Sequence, residues 1–205
     1  MHYLGDELKN IANIYTECEK AGNVDMPIIF ASTSKIAFPG GGVAALGASD
    51  GNLEILKKRI TTQSIGPDKI NQLRHVRFFE DYAGILKHMA KVSEILTPKF
   101  KTVTKMLTEK LGGLGVASWH NPPGGYFVSV DVYPGCAKSV VDLCKNAGLQ
   151  LTPAGATYPY SDDPNDSNIR VAPTSPTDEN LKISVELFCI CVKIAVLEKI
   201  IDNYD

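Results

Sequence analysis

The 205-residue chain has almost no net charge, no paired-cysteine spacing and no long apolar run, and each shortage removes a class of function. Its 21 basic and 23 acidic side chains leave a formal charge of −2. No global field attracts nucleic acid or an anionic membrane, and no nucleic-acid contact is expected. The five cysteines (Cys18, Cys136, Cys144, Cys189 and Cys191) are odd in number and form no CxxC pair. They read as reduced, buried thiols of a cytoplasmic protein rather than as disulfides or a zinc knuckle. The apolar stretch Leu187 to Val192 ends at Lys193, well short of the ~20 residues a membrane span needs. The first residues, Met-His-Tyr-Leu-Gly-Asp-Glu, carry no basic head and apolar run, so no signal peptide is expected. His75, His88 and His120 are dispersed, and Asp162, Asp163 and Asp166 do not have calcium-loop spacing, so no metal site is expected. Walker and dinucleotide spacings are absent.

What is present suits a globular chain: 44% of residues are apolar and 21% charged. At this length roughly 70% of the unfolded surface can be buried, and the expectation is one domain or one and a half. Periodicity predicts a helix over Asp6 to Ala21, with Leu8, Ile11, Ile14 and Tyr15 on one face. Buried strands are expected at Met26 to Ala31 and Val43 to Ala48, flanking a Gly-rich loop that includes Phe38-Pro-Gly-Gly-Gly42. Helices follow at Asn52 to Ile60, Lys69 to Phe79 and Tyr82 to Leu111. Pro98 is expected to kink or restart the last of these, and a domain transition is placed within it. Strands are expected at Gly115 to Trp119, Gly125 to Val132, Leu149 to Thr152 and Asn168 to Ala172. Helices are expected at Gly135 to Ala147 and from Thr177, as N-cap, to about Ile201. The pattern is α/β followed by α+β.

Lys35 is the sharpest chemical candidate. It leaves a strand for a Gly-rich loop among Ser32, Thr33 and Ser34. A lysine after a strand is ordinarily a solvated charge. Beside hydroxyls at the mouth of a sheet, its amine suits carbonyl chemistry through a Schiff base, and the hydroxyls suit a phosphate. Pro39 to Gly42 is the second feature: its glycines permit a close backbone approach, either to a ligand or within a tight connection between strands. Arg170 lies in an apolar strand and needs a partner. Its planar fork fits a carboxylate, whether from the protein or from a ligand. Arg74 and Arg77 read as a solvated helix face, and Trp119 as the edge of a core.

Four segments together resemble the pyridoxal-phosphate-dependent aminotransferases of the aspartate aminotransferase fold. Ala31-Ser-Thr-Ser-Lys-Ile-Ala-Phe-Pro-Gly40 is similar to their cofactor-lysine segment. Asn121-Pro-Pro-Gly-Gly-Tyr-Phe127 is similar to the turn that opens their small domain. Leu151-Thr-Pro-Ala-Gly-Ala156 is similar to their Pro-Gly loop, and Asn168-Ile-Arg-Val-Ala172 to the strand that bears the arginine for the substrate carboxylate. Gln72 to Phe79 and Gly155 to Tyr160 resemble the MocR-like aspartate aminotransferase group. The resemblance implies a Schiff base on Lys35, phosphate held by Ser32 with Ser34 helping, and Arg170 as clamp for the α-carboxylate of an amino acid and a 2-oxo acid. It also implies pyridoxal 5'-phosphate as cofactor and a homodimer. Many relatives carry an arginine seven or eight residues after the lysine, where this chain has Gly42 and Val43.

Members of that family have about twice this length, with a large and a small domain. The expectation is therefore a C-terminal portion: residues 1–85 as the end of the cofactor-binding large domain, and residues 86–205 as connector helix and small domain. The ring-stacking aromatic and the aspartate facing the ring nitrogen would lie upstream, so the isolated chain is expected to be weakly active or inactive. The alternative is an inactive module that dimerises or binds an effector within a MocR-type regulator.

Overall fold

The structure, a computed structural model, describes residues 12–37 and 40–203. They divide into two compact units at Lys91/Val92, inside a long helix.

The first unit is a short ribbon among capped helices. Helix α1 (Ile14–Lys20) starts where the Asn13 side chain accepts from Tyr15 N–H. The rest of the expected first helix, with Leu8 and Ile11, lies outside the described residues. Strands β1 (Ile29–Ser32) and β2 (Ala44–Gly47) pair antiparallel, Ile29 opposite Gly47 and Ser32 opposite Ala44. Helix α2 (Asp50–Gln63) is capped by Ser49, whose Oγ accepts from Asn52 N–H and donates to the Asp25 carboxylate. Helix α3 (Lys69–Phe79) is capped by Asp68 and ends at Glu80, which sits at φ 63°. Such hydroxyl and carboxylate caps satisfy helix N–H groups that have no partner within the helix.

The apolar runs at β1 and β2 are not buried as expected. Most of their residues are exposed, and Phe30 is 74% exposed. A two-stranded ribbon has two open faces, and among the described residues no layer covers Phe30. Phe79 is the one large aliphatic or aromatic side chain of this unit that is buried among those residues.

The second unit has a dense core. Helix α4 (Tyr82–Leu111) contributes Leu96, Phe100, Val103, Leu107 and Leu111, spaced to fall on one face. It runs through Pro98 without restarting. The proline removes one backbone donor, but Leu96 and Phe100 on either side are both buried and keep the helix in phase. Strands β3 (Ala117–Trp119), β4 (Val128–Val132) and β5 (Asn168–Val171) form an antiparallel sheet in that order. On β4 the valines 128, 130 and 132 point inward, while Ser129 and Asp131 face out. Helices α5 (Ala137–Asn146) and α6 (Asp178–Asp202) close the core with Val140, Cys144, Leu181, Val185, Phe188 and Val192. Leu107 and Leu111, both 0% exposed, each contribute about 1.5–3 kcal/mol by transfer from water. Thr177 caps α6 by accepting from Asn180 N–H, as expected.

Leu149 to Thr152 is not a strand. It has no ladder partner among the described residues, although Leu149 and Leu151 still pack on the core. The mixed helix-and-strand composition agrees with the sequence.

Candidate active site

Lys35 sits in a turn that β1 feeds directly. Ile36 N–H and Ala37 N–H both donate to Thr33 O, at 2.9 and 2.8 Å, so residues 33–37 curl into a single helical turn. The ladder is extended one step by Thr33 N–H donating to Val43 O at 2.9 Å. Lys35 is exposed. Next to it, the hydroxyls of Ser32 and Ser34 bond to each other, and Ser34 N–H donates to Ser32 Oγ at 3.1 Å. Gly42 passes close by: a Cβ there would lie 2.5 Å from Ser34 Oγ and 3.0 Å from Ser34 Cα. The glycine is therefore required by the approach of the two chain segments to each other. Pro39 lies outside the described residues.

Three residues hold this turn. The Thr33 hydroxyl accepts from Val43 N–H at 2.8 Å and lies 2.8 Å from His75 Nε2 and 3.3 Å from Val43 O. His75 Nδ1 lies 2.9 Å from Asn71 O, a carbonyl that can only accept, so Nδ1 carries hydrogen. In the neutral ring Nε2 then accepts from Thr33. His88 Nε2–H donates to Ile36 O at 2.9 Å. Phe78, Phe79 and His88 pack edge to face on one another, with centroids 5.0–5.5 Å apart, and His75 lies tilted against Phe79 at 5.8 Å.

Arg170 lies in the second unit, on the outward face of β5 opposite Ser129. Its guanidinium stacks over the Phe127 ring, 4.4 Å from the centroid. Its Nε is buried and has no hydrogen-bond partner, and it forms no salt bridge among the described residues. A cavity of about 360 Å³ opens beside β5, lined by Arg170, Gln150, Thr152 and Ser184 among apolar residues such as Val103 and Phe188. That mixture of an apolar wall with a few polar groups is typical of small-molecule sites. The sheet face is fixed by Asn168, whose amide donates to Ser129 Oγ and Asp131 Oδ1 and whose Oδ1 accepts from Thr157.

Ser32, Ser34 and Lys35 thus share one turn, and Arg170 occupies a strand of the other unit. Arg74 and Arg77 are exposed, as a solvated face requires. Trp119 packs at the core edge. Asp163, expected in a polar surface turn, is only 9% exposed and accepts from the backbone N–H groups of Asn165, Ser167 and Asn168. Burial alone would raise its carboxyl pKa, but these donors, with Asp166 N–H, hold it below the ordinary value. Sequence reasoning missed Phe127, which its turn motif contained without signalling a stack on Arg170. It also missed His75 and His88. These reach the turn across 42 and 52 positions, so no local spacing announces them.

The family model described as "Aspartate amino-transferase" matches residues 1–204. A curated relative named aspartate aminotransferase, from Corynebacterium glutamicum, is 40% identical over 198 residues, which is 97% of this chain and 46% of the relative. The crystal structure of an aspartate transaminase from the same species superposes with a TM-score of 0.90 at 40% identity, covering 97% of this chain and 47% of that one. The α-aminoadipate aminotransferase LysN of Thermus thermophilus, solved with N-(5'-phosphopyridoxyl)-L-leucine, shares the fold with a TM-score of 0.78 at 17% identity, over 96% of this chain and 48% of its own. The chain spans about half the length of the curated relatives it matches. With a family model spanning all but its last residue, and a fold shared across that span, the chain belongs to the aspartate aminotransferase family.

Proposed function

We propose that the chain is the C-terminal portion of a pyridoxal-phosphate-dependent aminotransferase of the MocR-like aspartate aminotransferase group. Residues 1–85 would belong to the cofactor-binding large domain and residues 86–205 to the connector helix and small domain. The whole enzyme would exchange an amino group between an aspartate-like amino acid and a 2-oxo acid, as a cytoplasmic homodimer. No described helix is long and apolar enough to cross a membrane.

The observation that carries this reading is Arg170. A guanidinium stacked on an aromatic ring, with a buried and unpaired Nε beside a cavity, is a receptor for a planar anion. An α-carboxylate satisfies the fork, and the clamp turns binding energy into orientation of the reacting carbon. Around Lys35 the residues suit pyridoxal phosphate: an exposed amine, and two hydroxyls coupled to each other within three residues of it. Lys35 Nζ would hold the cofactor, Ser32 Oγ would donate to its phosphate and Ser34 would support Ser32. With no arginine at Gly42 or Val43, the phosphate would otherwise rest on backbone amides. When bound, the pyridine ring supplies the electron sink. Lys35 Nζ then carries the proton that leaves the substrate α-carbon.

The test is reductive trapping. The chain is incubated with pyridoxal phosphate, treated with borohydride and mapped by peptide mass spectrometry. Preferential pyridoxyl labelling of Lys35, lost in Lys35→Ala, is expected. Label spread evenly over exposed lysines would overturn the assignment.

A further inference from the structure

Within this chain Lys35 follows a ribbon whose residues are mostly exposed, so the described residues give its direction little apolar support. The turn is nonetheless tied down on both sides of the lysine by imidazoles from two different helices. On one side, His75 of α3 takes the Thr33 hydroxyl, itself locked to Val43 N–H. On the other, His88 of α4 donates to the carbonyl of Ile36, the residue that follows Lys35. Each ring is held in turn: His75 by the Asn71 carbonyl and a tilted contact with Phe79, and His88 by edge-to-face contacts with Phe78 and Phe79. Phe79, the buried aromatic of this unit, is thus the common seat of both histidines.

We propose that His75 and His88 are positioning residues that clamp the Thr33–Ala37 turn and so aim Lys35. The proposal rests on the reading of Lys35 as the cofactor lysine. Neither imidazole needs to touch cofactor or substrate. Their effect passes through Thr33 and Ile36, the residues that bracket Ser34-Lys35.

Substitutions separate this role from simple packing. His75→Phe and His88→Phe keep an aromatic ring on Phe79 but delete the hydrogen bond to the turn. His75→Gln and His88→Gln lose the ring but keep a donor and acceptor at the reach of Nε2. Thr33→Val deletes the shared hydroxyl, and Thr33→Ser restores it. Two readouts are taken on the 205-residue chain: amide hydrogen exchange at Ile36, Ala37 and Val43, and the share of pyridoxyl label trapped on Lys35 after borohydride. Each Phe variant and Thr33→Val should speed exchange at those amides about fivefold, the loss of roughly one net hydrogen bond. Each should also lower the share of label on Lys35. The Gln variants and Thr33→Ser should return both values toward the parent. Phe variants that match the parent while Gln variants fail would make the histidines packing residues and overturn the proposal. So would faster exchange with an unchanged label share. A parent chain that ignores Lys35 would instead bring down the cofactor reading, and the aim attributed to the clamp with it. In that case the exchange data still report whether the turn is held.

Discussion

Replacing Gly42 by alanine tests the most sterically exacting position near Lys35. The added Cβ would sit 2.5 Å from Ser34 Oγ, 3.0 Å from Ser34 Cα and 3.1 Å from Ser34 N. Ordinary carbon contacts lie near 3.5–4.0 Å. The hydroxyl can rotate away, but Cα and N are backbone and must move by about half an ångström. Overpacking of this kind costs about 1–3 kcal/mol, and the exposed site relaxes toward the lower half of that range. A rotated Ser34 hydroxyl also gives up its bond to Ser32, so the pair proposed to hold the phosphate is disturbed in the same step. The control is Gly47→Ala at the end of β2, where a Cβ would meet nothing within 4 Å. The one tryptophan, Trp119, belongs to the other unit, so the readout is taken on the ribbon itself. The assay is amide exchange over residues 29–47. A cost of 1–2 kcal/mol corresponds to a roughly 5–30-fold acceleration for Gly42→Ala, with Gly47→Ala near the parent. Gly42→Ala exchange within twofold of the parent, or equal changes in both variants, would refute the steric argument.

Other expectations are briefer. In an aminotransferase carrying this chain, Arg170→Met should lower kcat/KM about 10–100-fold, the value of a charged hydrogen-bonded clamp. Phe127→Leu should lower it only about two- to fivefold, through lost cation–π support; a loss as large as that of Arg170→Met would count against a supporting role for the ring. Leu107→Ala should destabilise the second unit by about 2–5 kcal/mol, read by urea unfolding with Trp119 fluorescence. Asp163→Asn should lower the unfolding midpoint at neutral pH. Because the folded carboxyl titrates below its ordinary value of 3.8, its contribution is present above that pH and is lost as pH falls through the folded value. Parent and variant should therefore converge in acid, and a gap that persists at low pH would count against the carboxylate's role.

Local chemistry was enough to read the helices. Lys69 to Phe79 and Tyr82 to Leu111 emerge with the bounds the periodicity predicts, since caps and amphipathic spacing are short-range signals. Val128 to Val132 alternates as a half-buried strand must. Burial was less legible. Met26 to Ala31 looks like a core strand by composition, and only the three-dimensional surroundings show that β1 has open faces. Leu149 to Thr152 has strand composition and core contacts but no partner to pair with. Around the candidate site, Lys35, the serines and Arg170 were visible because each sits in a compact motif. The residues that hold them, His75, His88 and Phe127, were not, because their roles exist only after distant segments meet.

The Thr33 hydroxyl has a property that bears on how the turn tolerates its surroundings. With a neutral His75 ring its hydrogen goes to Nε2, and with a doubly protonated ring Nε2–H donates instead and the hydroxyl hydrogen swings to Val43 O, 3.3 Å away. Val43 N–H and Asn71 O keep their bonds in both arrangements. The fastening is therefore reversible in polarity: the hydroxyl rotor can face either neighbour and no contact is orphaned.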